Sequence, residues 1–177
     1  IAHLSPLDFI GGNMKQVWYM ILRGDYDNWD VPALQAEYTQ YKLDHEIPYD
    51  TLLFSDAKST LDVLKAEGYK LGLASSTIKI EIIRAMKLTG LLPYFEVVLS
   101  GDDFEESKPN PEIYQVAMTR LNVAPEETLV IEDSEKGIAA GVDSGATVWG
   151  IKDNVFGLNQ TRAAKLFDNL TQIVKQL

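Results

Sequence analysis

Three short stretches carry residue types that do chemistry on phosphate and metal ions. In "LVIEDS", residues 129–134, an apolar run ends at two adjacent carboxylates, Glu132 and Asp133, followed by Ser134. Two unpaired buried charges are costly. A hard divalent cation removes that cost, because Mg²⁺ takes one or two carboxylates together with water and phosphate oxygens. The ordinary alternative is that Asp133 or Ser134 caps the next helix. Ser75 and Ser76 follow "YKLGLA" where a helix should begin, and backbone N–H groups with a hydroxyl make a ready anion site there; a helix cap explains them equally well. Lys108 lies in "ESKPNPEIY". The proline after it restricts the local backbone, so the ammonium can be held in place; a surface lysine in a proline-rich turn is the bland alternative. The acidic loop "GDDFEE" reads as solvated charge.

These residues need elements to position them. Up to about residue 47 the pattern is helical: Val17, Met20 and Ile21 recur at helical spacing, as do Leu34, Tyr38 and Tyr41, with "LRGDYDNWDVP" as a connection. From Ser55 onward helix and strand alternate. Ser55 is expected to cap a helix through Leu61 and Leu64 that Gly68 closes. The expected strands are "YKLGLAS", "EVVLSG", "TLVIED" and "TVWGI". Between them fall helices through Ile80, Ile83 and Met86, through Ile113 to Leu121 with Asn110 and Pro111 at its start, and from Ser134 to Val142. Short apolar strands separated by helices predict an α/β fold, a doubly wound parallel sheet. Such sheets bind ligands beyond the carboxyl ends of their strands. A hydroxyl, a lysine and a carboxylate pair, each at its own strand end, then form one site for a phosphate and a cation.

The composition narrows the function. The chain has 177 residues, 46% hydrophobic and 24% charged, with a formal net charge of -10. An acidic surface repels phosphate backbones, so nucleic acid is not expected as a partner. An anionic small substrate needs a local cation against that background. No apolar run is long enough to span a bilayer, so no membrane partner is expected. The absence of cysteine removes disulfides and thiol chemistry, and a reducing cytoplasm is the expected location. A monomer or weak homodimer is expected.

The pieces "LGLASST", "SGDDFEESKPNPEIY" and "VIEDSEKGIAAGVDSGA", in that order, resemble the haloacid dehalogenase-like hydrolases. The likeness is to the branch with a small helical cap that includes β-phosphoglucomutase and many sugar-phosphate phosphatases. It covers residues 48 to 151 well, and residues 1–47 resemble the cap more loosely. The resemblance implies a helical cap portion at 1–47 and an α/β core at 48–177. It implies that Ser75 binds the transferring phosphoryl group with help from the Ser76 amide. It implies that Lys108 neutralises that group, that Asp133 ligates Mg²⁺, and that Glu132 supports the metal directly or through water. "DFIGGNMKQVW" falls where such enzymes carry a glycine-containing loop over the site, which makes Gly12 and Lys15 candidate substrate contacts. Thr77 and Lys79 are candidates for a distal phosphate. His3 and His45 suggest no chemistry.

One departure from the family pattern is large. Relatives open with a strand ending in Asp-x-Asp, whose first aspartate is the nucleophile and whose second is the general acid/base. Neither "PLDF" nor "GDYDNWD" qualifies. That strand belongs at the sheet centre, between the strands ending at Ser75 and Glu132. Because the chain opens with Ile1, some thirty preceding residues are expected to supply the strand and the nucleophile. The expected function is then a Mg²⁺-dependent phosphatase of a small phosphorylated metabolite, a sugar phosphate first among them. The alternatives are a phosphohexomutase of the β-phosphoglucomutase type and a non-catalytic, flavodoxin-like binding module. In the region where the mutase has a phosphate-binding arginine this chain has Asn13, Met14 and Lys15, which weighs against mutase activity. Neither G-x-G-x-x-G nor a Walker loop is present, which weighs against a nucleotide-binding domain.

Overall fold

The structure is a computed structural model describing residues 4–45 and 47–177; His3 lies outside the described residues. Two helices come first, α1 (Met14–Leu22) and α2 (Val31–Asp44). Each has its own side-chain cap: Asn13 accepts from the Gln16 amide and Asp30 from the Ala33 amide. The connection between them contains a 3₁₀ turn over Arg23–Asn28. A single turn, α3 (Tyr49–Leu52), leads to α4 (Ala57–Ala66).

The α/β alternation then follows the apolar pattern: β1 (Gly72–Ser75), α5 (Lys79–Leu88), β2 (Val97–Ser100), α6 (Glu112–Leu121), β3 (Leu129–Glu132), α7 (Glu135–Asp143) and β4 (Thr147–Ile151). The chain ends with β5 (Lys165–Phe167) and α8 (Leu170–Val174), which the sequence pattern did not announce. The cap of α4 differs from expectation. Asp56 occupies the position, not Ser55, and its carboxylate accepts from the Thr171 amide and hydroxyl, so it ties α4 to α8.

All strand pairs are parallel. β1 pairs with β2, and β3, β4 and β5 pair in that order. The register brings Ser75 opposite Ser100 and Glu132 opposite Gly150, so the polar ends of the strands line one edge. α6 packs on the first pair and α7 on β3 and β4. The core between them is Leu99, Ile113, Met118, Val130, Ile138 and Val148. No helix among the described residues is long and apolar enough to cross a membrane.

The described sheet is in two pieces. β1 and β3 do not pair, and between them runs a cavity of about 690 Å³. Residues 72–74 line one wall and residues 129–131 the other, and Leu64 of α4 and Met118 of α6 close its sides.

Candidate active site

Lys108 is the hub of the strand-end edge. It is only 5% exposed. Its ammonium donates to the Ala74 carbonyl at 3.1 Å, to the Tyr114 hydroxyl at 2.8 Å and to Glu132 Oε1 at 2.5 Å. It therefore reaches across the cavity, from the end of β1 to the end of β3. Two prolines flank this hold: the Lys108–Pro109 peptide is cis, and Pro111 starts the turn into α6. In the first turn of α6, Tyr114 donates to the same Glu132 oxygen at 2.6 Å. Burial, and then the Glu132 charge, push the Tyr114 phenol far above its usual range, so it stays a donor.

Both Glu132 oxygens are committed to the protein. Oε1 takes Lys108 and Tyr114. Oε2 accepts from the Ser134 hydroxyl at 3.1 Å and from the amides of Asp133 and Ser134 at 3.1 and 3.3 Å. Burial alone would raise this carboxyl; the Lys108 charge and these hydrogen bonds outweigh it and hold the group below the usual carboxylate range. The arrangement suits Glu132 to positioning Lys108 and leaves its oxygens little capacity for a metal ion.

Asp133 differs. It is the more exposed of the pair. Partial burial and the neighbouring Glu132 charge push its carboxyl above the usual range. Its charge is thus under-compensated, which is the donor chemistry a hard cation fits. Among the described residues no three His, Cys, Asp or Glu side chains converge, so Asp133 would supply one ligand of a larger set. Its backbone is fixed by Gln160, which donates to the carbonyls of Asp133 and Ile151 at 2.6 and 2.8 Å.

Ser75 ends β1 and Ser76 follows it. The Ser75 hydroxyl accepts from the Thr77 amide at 3.2 Å. Ser76 donates to the Gly11 carbonyl at 3.1 Å, which fastens the "IGGN" loop onto the strand ends. Thr77 is exposed, and its carbonyl accepts from Ser100. The other sequence candidates are placed less centrally. Lys79 turns its ammonium to the Val98 carbonyl at 2.5 Å and to Asp103 at 3.2 Å, along β2. Lys15 is exposed in a recess with Glu105 and Glu106. His45 stacks on Tyr41 and contacts its carbonyl. Sequence reasoning singled out neither Tyr114 nor Gly137. A side chain at Gly137 would overlap the Glu132 carboxyl group, so glycine is what lets α7 start against that carboxylate. The glycine third in a helix was the signal.

Residues 6–151 match the haloacid dehalogenase-like hydrolase family. The chain belongs to that family. Among curated proteins it is 37% identical over 108 residues to the pyrophosphatase PpaX of Bacillus pumilus, covering 59% of this chain and 48% of that one. It is 31% identical over 156 residues to the PpaX of Bacillus thuringiensis, covering 85% and 68%. The chain thus spans about half to two thirds of the length of these relatives. Among solved structures, a haloacid dehalogenase phosphatase from Thermococcus onnurineus is 30% identical, with a TM-score of 0.65 over 74% of this chain and 65% of that one. β-Phosphoglucomutase from Clostridium difficile shares the fold at 21% identity, with a TM-score of 0.79 over 96% of this chain and 78% of its own. The α/β fold expected from the sequence is therefore the fold of the family.

Proposed function

We propose that the chain forms the phosphate- and metal-binding side of a Mg²⁺-dependent phosphohydrolase acting on a small phosphorylated metabolite. The observation that carries the reading is the buried Lys108 ammonium, held by Glu132 and Tyr114 beside an under-compensated Asp133. In this reading the Ser75 hydroxyl and the backbone amides after β1 donate to the phosphoryl oxygens. Lys108 exchanges its Ala74 contact for the charge that develops on them. Glu132 keeps that ammonium aimed, and Asp133 holds Mg²⁺ with water and phosphate oxygens. The cation, when bound, lowers the repulsion between an anionic nucleophile and an anionic substrate. Residues 1–47 form part of a helical cap over a core at 48–177.

The nucleophile in this proposal is an aspartate on a further strand seated between β1 and β3. Support comes from the cavity itself. Its walls are the facing edges of two parallel strands, and each edge presents backbone groups that want a partner. At the carboxyl ends of these two strands Lys108 joins the Ala74 carbonyl to Glu132. Phosphorylation of that aspartate and its hydrolysis by water release inorganic phosphate.

Two features bear on substrate. The curated relatives named above are pyrophosphatases, and the glycine loop lies directly on the strand ends, so inorganic pyrophosphate comes before a sugar phosphate. The test is phosphate release with Mg²⁺ from pyrophosphate, from sugar phosphates and from p-nitrophenyl phosphate, using protein in which the cavity is filled by its strand. Release that disappears with chelator and with Lys108→Ala is expected. No release from any of the three, or release indifferent to Mg²⁺, overturns the proposal. Interconversion of two sugar phosphates without free phosphate would instead favour a mutase.

A further inference from the structure

Lys136 had no part in the sequence reading or in the site above. It lies two residues after Ser134, in the first turn of α7, and is half-buried. The loop of Gly11 and Gly12 packs against it. A Cβ built on Gly11, where φ is +74°, would approach Lys136 Cβ to 3.2 Å and Ser134 Oγ to 3.3 Å. A Cβ on Gly12 would come within 3.4 Å of the Lys136 ammonium itself. The two glycines therefore leave the lysine its course between the loop and the strand ends.

Partial burial without a partner sets this lysine apart, since Lys58, Lys87 and Lys175 are exposed. Among the described residues it makes no ion pair or hydrogen bond, whereas Lys42, Lys79, Lys108 and Lys152 each face a carboxylate. Lys15, the cation on the helical side, shares its recess with Glu105 and Glu106. In a chain of net charge -10, a half-buried cation without a carboxylate beside a phosphate site is where a second anion is drawn. The loop also sets the size of what enters. The Gly11 carbonyl accepts from Ser76, and a Cβ on Gly11 would crowd Ser134, so the loop lies close over the strand ends.

We propose that Lys136, with the Gly11–Gly12 loop, is a second anion subsite. It takes the distal phosphate of a compact phosphoanhydride while Ser75 and Lys108 take the reacting one. This rests on the proposed function and specifies its substrate class. Lys136 is a specificity-determining residue in this account, and the "IGGN" loop its lid.

Calorimetric titration with pyrophosphate and, separately, inorganic phosphate tests it, in Mg²⁺ buffer, on wild type, Lys136→Ala and Lys136→Arg. Lys136→Ala is expected to weaken pyrophosphate by about tenfold or more, the factor set by one charge-assisted hydrogen bond. Phosphate binding should stay within about twofold on the same grounds, and Lys136→Arg should restore most of the pyrophosphate affinity because it keeps the charge. Equal loss for both ligands, no loss for either, or no pyrophosphate binding by wild type overturns the subsite and leaves a surface lysine only. Binding is read without turnover. Pyrophosphate held through Lys136 but never hydrolysed refutes the proposed function alone; hydrolysis indifferent to Lys136 refutes the subsite alone.

Discussion

Replacing Gly137 by alanine tests the Glu132 network without touching a charged residue. In an unconstrained helix interior the added methyl would stabilise by about 1 kcal/mol, because glycine is the poorer helix former. Here the new Cβ would overlap the Glu132 carboxyl carbon and both oxygens. Either α7 moves or the carboxylate does. The helix is poorly placed to move: Ile138 and Ala140 are 1% and 0% exposed and pack in the core. The carboxylate then gives way and leaves the buried Lys108 without its counter-charge, at about 3–5 kcal/mol for a broken buried pair. The net expectation is a loss of about 2–4 kcal/mol. In a domain of this size each kcal/mol moves Tm by about 2–4 °C, so Tm should fall by roughly 5–15 °C. Calorimetric melting at neutral pH is the assay, with Gly137→Ala repeated in a Glu132→Ala background. There the obstruction is gone, and the same alanine should be neutral or stabilising. A Gly137→Ala protein that melts at or above wild type, or an equal cost in both backgrounds, would refute the placement of Glu132 against α7.

Other consequences can be checked in the same preparations. Asp133→Asn should weaken Mg²⁺ binding strongly in a titration, while Glu132→Gln should lower the reactivity of the site more than its metal affinity, since its oxygens face Lys108, Tyr114 and Ser134. Lys108→Ala should reduce kcat by about a hundredfold or more, on the scale of one lost electrostatic stabiliser. Lys79→Ala, whose partners are Val98 and Asp103, should leave kcat near wild type in the same steady-state assay. The acid side of the stability curve has a definite sign. Glu132 is held below its ordinary 4.5, so its contribution is present above that value and is lost as pH falls through the lowered folded value. Asp133 is shifted the other way, from 3.8 upward, so its charging costs stability as pH rises through 3.8 toward the raised value. Without Mg²⁺, Asp133→Asn should therefore melt above wild type at pH 7 and lose that advantage below about pH 3.8; added Mg²⁺ should raise the wild-type Tm alone.

Strands β1 to β4 were legible because each is an apolar run bounded by glycine, proline or polar residues, and the run alone decides strand against loop. β5 was not, since "KLF" is three residues long and two of them are exposed. The candidate residues were legible as types at strand ends, and Lys108 does join the Ala74 carbonyl of β1 to Glu132 of β3. The hydrogen-bond partners of the two carboxylates were not. Glu132 and Asp133 look alike in sequence, yet only coordinates show Oε1 and Oε2 of Glu132 filled by Lys108, Tyr114 and Ser134 while Asp133 stays exposed. Lys79 shows the converse: a lysine four residues after Ser75 suggests a ligand contact until its ammonium is found on Val98 and Asp103. Lys136 was invisible because its meaning comes from Gly11 and Gly12, about 125 residues earlier in the chain.

The same lysine that defines the site also explains why the two halves of the sheet need each other. Adjacent parallel strands hold together through a ladder of backbone bonds, and between β1 and β3 no such ladder exists. What crosses the cavity at its polar end is the Lys108 ammonium, joined to the Ala74 carbonyl on one side and to Glu132 on the other. The apolar side chains that line the cavity, Leu64, Leu73, Met118 and Val130 among them, have no packing partner on that side. One bridging lysine does not replace those contacts. A strand seated between β1 and β3 would fill the space, pair both edges and present its carboxyl end beside Lys108. The Ala74 carbonyl would then gain a backbone donor and release the ammonium toward the strand end. Filling the core and arming the site are, on this argument, one event, so protein with the cavity open should bind hydrophobic dye and leave phosphate esters intact. Dye binding measured before and after the strand is supplied in cis, alongside phosphate release, checks both halves. An open-cavity protein that excludes dye, melts cooperatively and turns over substrate would separate the two and refute the coupling.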